Sequence, residues 1–98
     1  MDIKQKKEGK KVIVSISGRV DTTTAPELLE YLKGVMVDIE ELVLDIKDVN
    51  YISSAGLRVI LFAQKTMNAQ GSMSISNVNK DIMEIFELTG FTDILTII

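Results

Sequence analysis

Hydrophobic and polar residues alternate near the start of the chain in the way that a β-strand requires. The segment from Lys11 to Ser17 places three β-branched residues on one face: Val12, Val14 and Ile16. Period-two spacing of such residues predicts a strand, and Gly18 is expected to end it. Residues 2–7 can pair with this strand across a turn at residues 8–10, which predicts a hairpin.

The hydrophobic spacing changes to the period of a helix after Thr24. Thr24 can cap this helix, Glu27 follows three residues later as in a capping box, and Pro26 is tolerated in the first turn. The helix is expected to end near Val37, and its apolar residues recur at helical spacing: Leu28, Leu29, Leu32, Val35 and Met36.

The middle of the chain predicts a buried strand followed by a second helix. Residues 42–46 form a short, nearly continuous apolar run, which is typical of a strand buried on both faces. Residues 47–53 are predicted to form a loop. A helix then runs from Ser53 or Ser54 to about Ala69, where Gly71 stops it.

Three further elements complete the predicted order. Residues 72–76 alternate again as a strand, with Met73 and Ile75 facing inward. A third helix begins at Asn79 or Lys80 and ends at Thr89, before Gly90. Residues 93–98 are predicted to form a last strand. The order β-β-α-β-α-β-α-β predicts a single α/β domain over residues 1–98, with a mixed central sheet and three main helices.

Composition excludes several classes of function. The formal net charge of −3 argues against a general affinity for nucleic acids. Without cysteine or histidine, disulfides, thiolate metal sites and the commonest general base are absent. No apolar run approaches the ~20 residues that span a bilayer, and the start does not resemble a signal peptide. We therefore expect a soluble, cytoplasmic domain with no membrane association, no metal and no cofactor.

The most suggestive residues stand where the second helix begins. Ligand sites in such sheets lie beyond the carboxyl ends of the strands, which here means the loops at 18–24 and 47–54. Ser53 is suited to cap the helix. Ser54 then falls in the first turn, where the helix dipole favours a phosphate. The phosphate would also add negative charge to the surface. This placement predicts a switch in binding rather than in folding.

These residues resemble a known family. The stretch 48–57, centred on Ser53-Ser54-Ala55-Gly56-Leu57, is similar to the signature of the STAS domain, and more narrowly to bacterial anti-sigma factor antagonists. Three other segments match in order: residues 18–21, 42–45 and 86–91. The resemblance covers essentially the whole chain and implies a STAS-like fold.

The resemblance also implies a mechanism. Such proteins bind an anti-sigma factor, often a serine kinase of the GHKL type, and thereby release a sigma factor. Phosphorylation of one serine, which falls on Ser54, blocks the binding, and Asp21 matches an acidic residue near that serine. The commoner family pattern has aspartate in place of Ser53 and serine or threonine in place of Ala55, so Ser53 remains an alternative acceptor.

The expected partner-binding surface gathers around this helix start, and some of its residues have a purely structural alternative. Asp21 is equally a turn or capping residue, and Arg19 is expected to be a solvated loop charge. The second helix is apolar on more than one face, which indicates either deeper burial or an exposed patch. The expected contact residues are Asp21, Ser53, Ser54, Gly56, Leu57, Arg58 and Leu61.

Two other classes of function stay open at this point. One is an interaction module without serine phosphorylation, as in lipid-transport complexes that contain STAS-like folds. The other is an enzyme, which is the weakest hypothesis because no nucleophile elbow or phosphate-binding loop is present and no histidine could serve as the base. Direct nucleotide binding lacks a glycine-rich cradle. The oligomeric state is not predicted.

Overall fold

The computed structural model describes all 98 residues and contains one four-stranded mixed sheet. Strands β1 (Asp2–Glu8), β2 (Lys11–Val20), β3 (Glu41–Ile52) and β4 (Ser72–Ser76) lie side by side in that order. β1 and β2 form the predicted antiparallel hairpin, whose turn contains Gly9 at φ +62°. The β2–β3 and β3–β4 pairs are parallel, which confirms the mixed sheet.

Three α-helices connect and follow these strands, as the sequence predicts. They are α1 (Ala25–Val35), α2 (Ser54–Gln70) and α3 (Lys80–Thr89), and a 3₁₀ turn at Phe91–Asp93 follows. The stop of α3 at Gly90 is confirmed, since this glycine adopts φ +79° in the left-handed region. The observed order is therefore β-β-α-β-α-β-α.

A single hydrophobic core lies between the sheet and the helices. On the sheet, the core is formed by residues that are paired across the three parallel strands. In one row, Val12 pairs with Leu42 and Leu42 pairs with Met73. The next row is Val14, Leu44 and Ile75. All six are buried, and the helices cover them with Leu28, Leu32, Ile60, Ala63, Met67, Ile82 and Phe86.

The predicted loop at residues 47–53 was wrong, because β3 continues to Ile52. Its last residues pair with β2 up to the Val20–Ile52 pair, with irregularities on either side of Gly18, which has φ +91°. Val49 and Ile52 are buried on this extension. Backbone pairing and two buried side chains therefore outweigh the polar composition of the segment. β2 likewise runs past Gly18 to Val20.

The predicted last strand is reduced to one bridge. Ile97 pairs with Ile75, and the Ile75 amide donates to the Thr96 carbonyl at 2.9 Å. The chain first makes its 3₁₀ turn, in which Phe91 stacks on Phe86 with ring centroids 6.2 Å apart. Of the apolar residues that follow, only Leu95 is buried. This segment therefore contributes one side chain to the core and does not extend the sheet as a strand.

No helix of the chain combines the length and hydrophobicity that a membrane crossing requires.

Candidate functional site

The carboxyl ends of β2 and β3 bring the two loops of interest to one edge of the sheet. Val20 and Ile52 are the last paired residues of their strands. Immediately beyond them, the amide of Ser53 donates to the carbonyl of Val20 at 2.8 Å. The turn that begins at Asp21 and the start of α2 therefore lie side by side.

Ser53 is the N-cap of α2, as the sequence predicts. Its backbone is extended, with φ −91° and ψ 175°, and its Oγ accepts a hydrogen bond from the amide of Gly56 at 3.2 Å. The side chain is half-buried. Its hydroxyl therefore satisfies an amide that would otherwise lack an intrahelical partner.

Ser54 is the first residue of α2 and is exposed. Its hydroxyl makes no hydrogen bond with another side chain or with the backbone of the chain. The first turn of α2 contains no acidic residue. Unpaired helical amides and the helix dipole give this point a positive potential that tolerates an anion.

Gly56 is buried beneath the helix start, where it allows α2 to approach the sheet closely. A Cβ atom at this position would lie 2.8 Å from the Cγ1 atoms of both Val20 and Ile52. The contribution of Gly56 is therefore packing, and it offers a partner almost no surface.

Asp21 organises the turn between β2 and α1. Its Oδ1 accepts hydrogen bonds from the amides of Thr23 and Thr24 at 2.9 and 3.0 Å. The bond from the Thr24 amide contributes most to lowering the pKa of the Asp21 carboxyl, and the Thr23 amide and the charge of Arg19 add to it. The turn-forming role expected as the alternative for Asp21 is thus present in the structure.

The predicted side-chain cap at Thr24 is not formed. The Thr24 hydroxyl instead donates to the carbonyl of Arg19 at 2.8 Å and accepts from the amide of Asp21 at 2.9 Å. α1 therefore starts at Ala25 without a side-chain cap, because the hydroxyl is occupied within the turn.

Arg19 is more than the solvated loop charge expected from the sequence. Its guanidinium lies 4.1 Å from the centre of the Tyr51 ring, and its Nε is 3.6 Å from Asp21 Oδ2. Tyr51 was not identified from the sequence because its segment was predicted to be a loop. Arg19 and Tyr51 are neighbours across the β2–β3 ladder, so only the strand register could have revealed the contact.

The remaining candidate residues are distributed along α2. Leu57 is half-buried against the core, whereas Arg58 is exposed. Leu61 is also half-buried and lies about 10 Å further along the helix than Ser54, from the rise per residue. The structure therefore places Leu61 away from the helix start, while Leu57 and Arg58 remain near it.

A shallow groove of about 320 Å³ separates the starts of α1 and α2. It is largely apolar, and Arg58 is its charged residue. The other lining residues are Thr22, Ala25, Pro26, Leu29, Ala55 and Val59. An apolar groove beside an exposed hydroxyl is the kind of surface on which a protein partner can dock.

One face of α2 is buried. It includes Gly56, Ile60, Ala63 and Met67. Val59 and Gln64 are also buried. Phe62 remains 41% exposed, so deeper burial accounts for part of the apolar surface of α2 and exposure for the rest.

The side chains do not assemble a metal site, since no group of three His, Cys, Asp or Glu residues is suitably placed. The arrangement is that of a small α/β domain with a hydroxyl presented at a helix start.

Comparison with known proteins identifies the family. The family model of the STAS domain matches residues 2–98, and the chain belongs to this family. The anti-sigma-B factor antagonist of Bacillus subtilis (strain 168) is 33% identical over 98 residues, which cover 99% of this chain and 88% of that protein.

Two solved structures share the fold. An anti-sigma factor antagonist from Mycobacterium paratuberculosis superimposes with a TM-score of 0.89 at 22% identity, over 98% of this chain and 83% of that chain. The phosphorylated form of the Bacillus cell fate determinant SpoIIAA gives a TM-score of 0.77 at 11% identity, over 99% of this chain and 91% of that chain.

Proposed function

We propose that this STAS domain is an anti-sigma factor antagonist whose binding is controlled by phosphorylation of Ser54. In its unphosphorylated form it binds an anti-sigma factor that is also a serine kinase of the GHKL type, and a sigma factor is released. The name of the Bacillus subtilis relative supports the antagonist role. That SpoIIAA, a protein of this fold, is known in a phosphorylated form supports control by phosphorylation.

The observation that carries the choice of acceptor is the difference between two adjacent hydroxyls. Ser53 is half-buried and its Oγ holds the amide of Gly56. Ser54 is exposed and has no such partner. A kinase can reach the Ser54 hydroxyl without breaking a helix cap, so Ser54 is the acceptor that we propose and Ser53 is the alternative.

The added charge explains how the modification would act. A phosphoserine carries about −1.5 to −2 charges at neutral pH, and the start of α2 favours an anion. The phosphate therefore leaves the fold intact. A partner docked over the groove and the helix start would meet new charge and a bulkier side chain, which disfavours association.

The same geometry disfavours an enzyme that uses Ser54 as a nucleophile. The chain has no histidine, and the carboxyl candidate for a general base beside the start of α2 is Asp21, which follows the Val20 carbonyl that the Ser53 amide contacts. Two backbone amides hold Asp21 and lower the pKa of its carboxyl, which makes it a weaker base. Ser54 is therefore proposed as the substrate of a kinase and not as a catalytic residue.

A phosphorylation assay tests this proposal. The purified domain is incubated with ATP and an anti-sigma factor kinase of its own organism, and the product is mapped by mass spectrometry. We expect one phosphate on Ser54 and none in Ser54→Ala. The matched control is Ser53→Asp, which removes the neighbouring hydroxyl but retains a capping oxygen, and it should still accept the phosphate.

Other results would point to the alternatives. A phosphate found on Ser53, and lost in Ser53→Asp, would transfer the acceptor role to that residue. If no kinase modifies the chain and Ser54→Asp leaves partner binding unchanged, the domain would be an interaction module without a serine switch.

A further inference from the structure

The helix that presents Ser54 also carries an exposed arginine within reach of it. Arg58 lies four residues after Ser54 on α2, and side chains at this spacing are neighbours on one face, with Cβ atoms about 5–6 Å apart. Arg58 is exposed. It takes part in none of the four ion pairs of the structure, so its charge is uncompensated.

Charged side chains on β2 and β3 near this edge are already engaged or lie further away. Arg19 is paired with Asp21 at 3.6 Å and stacked on Tyr51. Lys47 and Asp48 stand at least four residues before the end of β3, roughly 13 Å back along the strand. Arg58, four residues after Ser54 on the same helix and without an ion-pair partner, is thus free to meet a new charge on Ser54.

We propose that Arg58 is the intramolecular counter-ion of the phosphate on Ser54, an inference that rests on the proposed function. A guanidinium presents its N–H donors in a planar fork that matches phosphate oxygens, and such charge-assisted hydrogen bonds are short and strong. Phosphorylation then has two effects on the docking surface. It adds an anion at the helix start, and it draws Arg58 away from the groove that Arg58 lines.

A phosphorus NMR titration measures this pairing without any partner protein. Phosphoserine is incorporated at position 54 during translation, so the experiment does not depend on a kinase. The second pKa of the phosphate, about 6 in a free side chain, is compared between the otherwise unchanged protein and Arg58→Gln. Because a nearby cation favours the dianion, Arg58→Gln should raise this pKa by about 0.15 to 0.4 units.

The matched control is Lys65→Gln, which removes an exposed positive charge from the same helix two turns further on. We expect Lys65→Gln to leave the phosphate pKa unchanged. An equal pKa in the parent and in Arg58→Gln would overturn the inference, as would an equal shift in both variants, which would indicate a general effect of net charge. Failure of every kinase to modify Ser54 would instead count against the proposed function, and the titration would still report on Arg58.

Discussion

Gly56 gives the sharpest test of how the start of α2 is held against the sheet. In Gly56→Ala the new methyl group would lie 2.8 Å from Val20 Cγ1 and Ile52 Cγ1 and 3.1 Å from the Val20 carbonyl oxygen. Ordinary contacts of a Cβ atom begin near 3.4 Å. The helix start must therefore move outward by about half an ångström or more, because β-branched side chains on paired strands have little freedom to yield.

The expected change in stability follows from two opposing terms. Overpacking of this kind costs roughly 1–3 kcal/mol. Replacement of a helical glycine by alanine returns up to about 1 kcal/mol through helix propensity. Gly56→Ala should therefore lower the free energy of unfolding by about 1 kcal/mol, on balance of these two effects.

Gly34 provides the matched control. It lies in α1, is exposed, and a Cβ atom there would meet nothing within 4 Å. Gly34→Ala should raise the free energy of unfolding by about 0.5–1 kcal/mol. Gly56→Ala should thus be destabilising and Gly34→Ala stabilising, and their free energies of unfolding should differ by about 2 kcal/mol.

Equilibrium unfolding in urea, followed by circular dichroism, measures both variants against the parent protein. The reasoning would be refuted if Gly56→Ala were as stable as Gly34→Ala, because the close approach of α2 to the ends of β2 and β3 would then make no contribution to the free energy of unfolding.

Three further predictions concern stability. Ser53→Ala should lower the free energy of unfolding by about 1 kcal/mol through loss of the cap, whereas Ser53→Asp should retain it; an equal loss in urea unfolding would contradict the cap. Gln64 is 5% exposed; its Nε2 donates to Asn68 Oδ1 at 2.8 Å, but its Oε1 has no hydrogen-bond partner. Because Asn68 is exposed and can bond to water instead, Gln64→Met should raise the thermal midpoint, corresponding to about 1 kcal/mol or less, and a lower midpoint would show that the Gln64 amide is worth more than its burial costs. Because the pKa of the Asp21 carboxyl is lower in the folded protein, this carboxylate stabilises the fold at pH values above its unfolded-state pKa of about 3.9. The contribution is lost as the pH falls through the pKa of the folded state. Asp21→Asn keeps the Oδ1 acceptor, so its unfolding free energy should fall less below pH 4 than that of the parent, and identical pH profiles would argue against the linkage.

Elements with a local signal were predictable from the sequence. The alternation at residues 11–17, the glycine stops at Gly71 and Gly90 and the capping serine at Ser53 act through near neighbours, and the structure confirms each of them. The position of Ser54 in the first turn of α2 follows from the cap, so the exposed hydroxyl was also within reach of sequence reasoning.

The differences arise where distant residues decide the local structure. The strand character of residues 47–52 depends on pairing with β2 and on burial of Val49 and Ile52, which override a polar composition typical of loops. The last apolar residues resemble a strand, but the chain makes a 3₁₀ turn at Phe91–Asp93 and then forms a single bridge, between Ile97 and Ile75. Thr24 resembles a cap, yet its hydroxyl is used by the turn around Asp21.

The same limit applies to the candidate site. Matching the sequence to a family motif assigns residues to a functional surface but does not show which of them are accessible. The structure shows that Gly56 is buried, that Leu61 lies away from the helix start, and that Arg19 is stacked on Tyr51. These facts depend on the strand register and on helix packing, neither of which is encoded locally.

The central claim is that charge added at Ser54 controls association while the fold persists. Its most direct test is a calorimetric titration of an anti-sigma factor of the same organism with the domain carrying serine or phosphoserine at position 54, together with circular dichroism of both forms. We expect the phosphorylated form to bind at least about tenfold more weakly, a difference of about 1.4 kcal/mol, with an unchanged circular dichroism spectrum. Equal affinities of the two forms, or an unfolded phosphorylated form, would contradict the account.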